Sequence, residues 1–195
     1  MIQGVQMGKD KRTTVEYRRK RTNYTDYRKR LSLLKSGKHR LVVRRSMKYI
    51  IAQLVDYSAE GDKVLITISS KELKKLGWKY SCKNIPAAYL TGQLLAKRLK
   101  DKGIADEAIV DIGSFVSKKG SRLYGLVRGA IDGGMKVPVS EDVLPDETRF
   151  KGSHIAHIAK NATKEGMQFS ATKKTAGDPS KIEDEFERII TKING

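Results

Sequence analysis

Apolar positions along the chain change their spacing three times. Up to about residue 38 no strand or helix period is sustained. The one candidate there is a short amphipathic helix over residues 25–34, with Leu31 and Leu34 as its docking positions, and Gly37 punctuates the entry to the folded part. Three β-type runs come next, at residues 41–45, 49–57 and 64–69, rich in β-branched and aromatic side chains. The first two are nearly contiguous and the third comes after a turn over 58–62, so the runs predict an antiparallel meander.

A helical period then takes over. Residues 71–76 make one short turn stopped by Gly77, and Asn84 is placed to cap a longer helix with Pro86 in its first turn. Ala87, Leu90 and Leu94, with Ala88, Leu95 and Leu99, form its apolar face, and Gly103 ends it. Residues 108–112 read as a fourth strand. Ser121 opens another helix, with Leu123, Leu126, Val127, Ala130 and Ile131 on one face and Gly133 and Gly134 at its end. Small residues recur four apart in both helices, as Ala88, Gly92, Ala96 and as Gly125, Gly129, Gly133. With no apolar 20-mer around them, they predict tight packing of helix on sheet. Residues 137–150 are loop-like; 154–161 form a short helix with Ile155, Ile158 and Ala159 inward; 163–177 read as a linker. The spacing of Ser180 and Glu183 is that of a capping box, ahead of an apolar face of Ile182, Phe186, Ile189 and Ile190 that should dock on the body or on a neighbour. No internal repeat is evident. The expected architecture is α/β: a mixed sheet with an antiparallel meander followed by α-β-α. Residues 1–38 form an extended basic arm, 39–160 the body, and 161–195 a linker and C-terminal amphipathic helix.

Charge changes this picture most. The 195 residues carry 40 Lys and Arg against 22 Asp and Glu, a net of +18. Sixteen of those cations and only three acids (Asp10, Glu16, Asp26) fall within residues 1–48. A nearly neutral body with a strongly basic front is the layout of a nucleic-acid binder, because each neutralised phosphate releases condensed counterions. The alternative is a solubilising or targeting tail. No apolar run spans a bilayer and no secretory signal opens the chain, so no membrane partner is expected. A single Cys82 fits a reducing cytosol, and one Cys with three His is too few for a zinc finger.

The candidate chemistry stems from that asymmetry. Tyr17, Tyr24 and Tyr27 are interleaved with the cations of 17–30, so Arg forks can grip phosphates while Tyr stacks on unpaired bases. No groove-fitting motif is present, which favours RNA over DNA. Such a segment cannot bury enough surface to order itself and should order on its partner. A second cationic site is the loop 117–122, with Lys118, Lys119 and Arg122 ahead of a helix N-terminus; the alternative there is a solvated turn. Asp56, Asp111 and Asp132 sit near element ends and would have to converge to bind magnesium; each is more simply a turn, cap or ion-pair residue. Cys82 reads as an ordinary semi-buried thiol, and Trp78 as packed at a loop edge or stacked on a base. His154 and His157 lack a third ligand. No catalytic residue, metal site or cofactor is assigned.

Several strings, in order and spacing, resemble one family. Tyr17-Arg-Arg-Lys-Arg21, Thr25-Asp-Tyr-Arg-Lys-Arg-Leu31, Leu33-Leu-Lys-Ser-Gly-Lys38 and Arg40-Leu-Val-Val-Arg44 open the set. Pro86-Ala-Ala-Tyr-Leu-Thr-Gly92, Asp111-Ile-Gly113, Lys119-Gly-Ser-Arg122, Gly129-Ala-Ile-Asp-Gly-Gly134 and Gly152-Ser-His-Ile-Ala156 complete it. Together they resemble the large-subunit ribosomal protein family numbered eighteen in the universal scheme, in its archaeal form, from about Tyr17 to Ala159. The resemblance implies a structural, non-enzymatic protein of the cytoplasmic large ribosomal subunit. Such a protein binds 5S rRNA and helps attach it to the large-subunit rRNA at the central protuberance, among neighbouring large-subunit ribosomal proteins. It also implies a ribonuclease H-like motif without that enzyme's active site. Carried over by position, Arg18, Arg19, Lys20, Arg21, Tyr24, Tyr27, Arg28, Lys29 and Arg30 lie against RNA. Lys35, Lys38, Arg40, Arg44 and Arg45 continue the surface, while Lys118, Lys119, Ser121 and Arg122 make a second contact. His154 is a further candidate. The extension after about residue 160 and the start, Met1 to Met7, depart from the family pattern. Initiation at Met7 is a hypothesis that an intact mass retaining Met1 or Ile2 would sink.

Overall fold

The computed structural model describes residues 15–104, 106–161, 169 and 178–195. The candidate starts Met1 and Met7, the first part of the arm, and the linker over 163–177 apart from Phe169 lie outside the described residues. The elements are α1 (Arg18–Arg21), α2 (Tyr27–Leu34), β1 (His39–Arg45), β2 (Ile50–Asp56), β3 (Lys63–Ser69), α3 (Leu73–Leu76), α4 (Ile85–Asp101), β4 (Ala108–Asp111), α5 (Arg122–Asp132), α6 (Glu147–Lys151), α7 (Ser153–Asn161) and α8 (Ile182–Asn194).

Four strands form one mixed sheet in the order β3-β2-β1-β4. The meander is antiparallel, with Leu41 opposite Leu54, and β4 runs parallel to β1 on its other side, with Leu41 opposite Val110. That parallel return needs a crossover, and α4 supplies it. Strand alternation separates two faces. Leu41, Val43, Ile50, Ala52, Leu54, Ile66 and Ile68 are buried in the core beneath α4 and α5. The opposite face carries Arg40, Val42 and Arg44 of β1 and Gln53 and Val55 of β2.

Helix α4 starts where its cap predicts: the Asn84 side chain accepts the Ala87 N–H at 2.9 Å, and Pro86 occupies the first turn. Gly103, at φ +61°, carries the chain out. The small-residue stripes meet each other, so the packing is helix on helix where helix on sheet was expected. A Cβ on Gly92 would lie 2.7 Å from Ala130 N, and one on Gly129 would lie 2.8 Å from the Tyr89 carbonyl carbon. Each glycine is therefore where the other helix's backbone passes. Glycine costs about 1 kcal/mol of helix propensity; here the close approach of two backbones offsets it.

The C-terminal helix α8 docks on the body. Phe186 is buried with its ring centroid 5.5 Å from Tyr89, which itself stacks on Phe150 at 4.3 Å. Ile182, Ile189 and Ile193 are buried beside it, while Ile190 is only half-buried. The start is capped two residues earlier than the Ser180 spacing suggests: Asp178 accepts the Ser180 N–H at 2.9 Å, opening a 3-10 turn over Pro179–Lys181. The Tyr80 hydroxyl donates to Asp178 O at 2.7 Å, and Lys192 Nζ to Leu76 O at 2.9 Å. Burial and the hydrogen bond from its hydroxyl to Asp132 push the Tyr89 phenol up to about 12. Within 137–150 the chain is less loop-like than expected, because α6 begins at Glu147 and ends at Gly152 with φ +94°. In α7, Ala156 is buried but Ile158 is 50% exposed, since two residues along a helix turn the side chain by about 200°.

Candidate nucleic-acid interface

Within the described residues the N-terminal segment holds two short helices: α2 falls where a helix over 25–34 was expected, and α1 lies in a stretch expected to be extended. Asp26 explains α2: its side chain accepts the Arg28 and Lys29 N–H groups at 3.0 and 3.1 Å. Arg18, Arg19, Lys20 and Arg21 are all exposed on α1, and Tyr17 and Tyr24 are more than 70% exposed. Arg19 lays its guanidinium over the Tyr24 ring at 4.9 Å and donates from Nε to Thr25 Oγ1 at 2.9 Å. Tyr27 is half-buried, 5.7 Å from Tyr17 between centroids. Of the two predicted docking residues, Leu34 is half-buried, as is Leu33, while Leu31 stays exposed.

This segment is held against the polar face of the sheet by charge. Arg30 pairs with Asp62 at 2.9 Å, and Lys29 Nζ donates to Gly113 O at 3.1 Å. Arg40 pairs with Asp62 at 2.6 Å and with Asp111 at 3.0 Å, and Arg44 reaches Asp111 at 3.2 Å. Burial raises the Asp62 carboxyl, but hydrogen bonds and charge from Arg30 and Arg40 outweigh it and hold the group below its ordinary 3.8. Arg40 is the correction to the expected RNA surface. Its side chain is 3% exposed and its charge is spent on two carboxylates, so it is an internal strut. Its Nε–H is buried without an acceptor. Arg44 is half-buried, and Arg45 is exposed, with its guanidinium over Phe115 at 5.0 Å.

Between the segment and the sheet lies a trough of about 550 Å³. Arg19, Tyr24 and Lys29 of the segment line it together with Arg45, Phe115 and the sheet residues Val42, Gln53 and Val55. Arg28, Lys35 and Lys38 are exposed outside it, Lys38 paired with Glu107.

The second cationic loop lies elsewhere. Lys118 and Lys119 are exposed, and Gly120 turns the chain at φ +60° with its N–H on Val143 O at 3.0 Å. Ser121 has N-cap backbone geometry, yet its Oγ takes no capping N–H and is buried without a partner. Arg122 donates to Lys83 O at 3.3 Å and shares a shallow pocket with Lys83 and His154. Burial lowers the His154 imidazole from its ordinary 6.5, which favours its neutral form. Sequence spacing could not show that Arg122 and His154 are neighbours. It also missed Asp62, Gln53 and Phe115, which have no signature outside the fold.

The remaining candidates take structural places. Asp111 serves two arginines, and Asp132 accepts from Tyr89 and Arg128. Asp56 accepts the Tyr57 N–H and lies 3.3 Å from His39. Among the described residues no three His, Cys, Asp or Glu gather as a metal site. Cys82 is buried, which pushes its thiol up despite nearby Lys74. Trp78 is buried and donates from Nε1 to Ser81 O at 3.2 Å. No helix is long and apolar enough to cross a membrane among the described residues.

A cation-rich N-terminal segment fastened to a mixed α/β sheet is thus the frame of this molecule, and relatives share its sequence. Residues 11–108 match the family described as "Ribosomal large subunit proteins 60S L5, and 50S L18", and the chain belongs to that family of large-subunit ribosomal proteins. Its counterpart in Korarchaeum cryptofilum (strain OPF8), an archaeon, is "Large ribosomal subunit protein uL18": the two are 49% identical over 191 residues, covering 96% of this chain and 97% of that one. The chain is thus a structural constituent of the large ribosomal subunit, in the cytoplasm.

Proposed function

We propose that this protein binds 5S rRNA and helps attach it to the large-subunit rRNA at the central protuberance, without catalysing a reaction. The observation that carries the reading is the display of four consecutive exposed cations on α1 beside the exposed Tyr17 and Tyr24, with Arg19 and Tyr24 lining the trough. Phosphate contacts from Arg18, Arg19, Lys20, Arg21, Arg28 and Lys29 supply affinity, and Tyr24 and Tyr27 add stacking. Lys35, Lys38, Arg44 and Arg45 extend that face across the first strand. Lys118, Lys119, Ser121 and Arg122 form a second, separate contact, with His154 beside it as a neutral hydrogen-bonding group. Neighbouring ribosomal proteins are the remaining partners. The three-part division stands with this reading: an RNA-facing segment to residue 38, a body over 39–160 of the ribonuclease H-like kind, and a C-terminal part over 161–195.

A competition titration tests it. Labelled 5S rRNA bound to the full chain is challenged with unlabelled 5S rRNA or with a tRNA of similar charge, at two salt concentrations. Structure-selective recognition requires 5S rRNA to compete far better and to keep its advantage at the higher salt. Equal competition, with binding that collapses as salt rises, overturns the 5S assignment.

A further inference from the structure

We propose that the trough between the N-terminal segment and the sheet is a pocket for a single unpaired nucleotide of the bound RNA. The inference rests on the RNA-binding reading above and deepens it by assigning one site a ligand class. Its lining includes two guanidinium groups laid over aromatic rings, Arg19 over Tyr24 at 4.9 Å and Arg45 over Phe115 at 5.0 Å. All four residues line the trough, one pair from α1 and the loop after it, the other from the end of β1 and the loop after β4. Layers of this kind accept a flat, electron-rich ring, because a base stacks on a guanidinium plane and on an aromatic face alike.

The volume of about 550 Å³ falls in the range of sites that enclose one small molecule, and a duplex presents no free base face to such a lining. Charge agrees with the ligand. Arg40 and its partners are engaged with Asp62 and Asp111, but Arg19 and Arg45 have no carboxylate partner among the described residues, so a phosphate flanking the inserted base meets uncompensated cations. Within the lining, Gln53 offers an amide to a base edge; its Nε2 already donates to Thr67 Oγ1 at 3.0 Å, which fixes the group in orientation.

Two conservative variants, Tyr24→Leu and Phe115→Leu, remove one ring from each pair and keep the apolar bulk. Tyr24 is largely exposed, so its variant folds whatever Phe115→Leu does. Binding of 5S rRNA to the full chain is titrated over a series of salt concentrations. The expected result is about a tenfold loss of affinity for each variant with an unchanged slope against salt, because stacking releases no counterions. Ultraviolet crosslinking of the wild-type complex should join RNA to peptides containing Tyr24 and Phe115. Variants within twofold of wild type, or crosslinks that avoid both peptides, overturn the pocket. An Arg18→Ala, Arg21→Ala double variant separates the two failures. If it weakens binding with a shallower slope while the ring variants do nothing, RNA binding stands and the pocket falls. If no variant changes binding and tRNA competes equally, the RNA reading falls with it.

Discussion

Replacing Gly129 with alanine should destabilise the fold, although the same change in an open helix would stabilise it. The added Cβ would lie 2.8 Å from the Tyr89 carbonyl carbon, and the obstacle is main chain of α4, which cannot rotate away. An ordinary carbon–carbon contact is about 3.5–4.0 Å, so α4 and α5 must separate by roughly 1 Å, a gap that forfeits a quarter to a half of the dispersion energy of each contact along the seam. Overpacking of this kind costs about 3 kcal/mol or more, and the alanine returns about 1 kcal/mol of helix propensity. The net is about 2–3 kcal/mol, which for a chain of this length lowers Tm by roughly 5–10 °C. Gly125→Ala is the matched control. Its Cβ would meet a methyl of Ile85 at 3.1 Å, a side chain that can yield, so its effect should lie near zero. Thermal unfolding followed by circular dichroism reads all of them. Gly92→Ala should resemble Gly129→Ala, and the double variant should cost less than the sum, since one separation accommodates both methyl groups. A Gly129→Ala protein as stable as Gly125→Ala would refute the backbone-to-backbone seam.

Three other expectations are independent of that seam. Asp111→Ala leaves Arg40 buried and Arg44 half-buried with one shared carboxylate gone, so the urea midpoint should fall by the equivalent of about 3 kcal/mol; a loss under 1 kcal/mol would show that the network is solvated. The Asp62 carboxyl titrates lower in the folded chain than in the unfolded one, so its contribution is full above about 3.8 and fades as pH falls through the depressed folded value. Wild type should therefore exceed Asp62→Asn in stability at pH 7, with the gap narrowing below pH 3.8, as urea unfolding at both values would reveal; an equal gap at both ends contradicts the pairing. The Cys82 thiol, buried and raised, should react with a disulfide reagent at the rate of unfolding in buffer and at once in urea.

The elements of the body were legible because their signals are local. The β-branched runs at 41–45 and 64–69, the Asn84 cap and the Gly103 stop each sit where the backbone obeys them. The pairing of β4 beside β1 is also natural once an α-β unit succeeds a meander. What stayed hidden depended on three-dimensional neighbours. The glycine stripes announce close approach but not the surface approached, so helix on helix and helix on sheet read alike. Asp62 stands in an ordinary turn, and only the fold reveals that it bridges Arg30 and Arg40. In the same way Arg40 and Arg45 are equivalent cations in the sequence, yet strand alternation and the covering α2 bury the first and leave the second exposed. The candidate site was legible as a charge density and illegible as a shape.

The docking of α8 bears on the order in which the chain folds. Lys192 meets Leu76 across 116 residues, and Tyr80 meets Asp178 across 98, whereas the meander strands pair with their sequence neighbours. Closing a loop near a hundred residues long costs more entropy than forming a hairpin, so the sheet and its α4 cover can assemble first and wait for α8. During that wait the Tyr89 and Phe150 rings that Phe186 will cover face water, and a chain stalled there presents a sticky aromatic patch to its neighbours. The last helix to arrive is thus a seal, and the interval before it closes is when the free protein is most prone to aggregate.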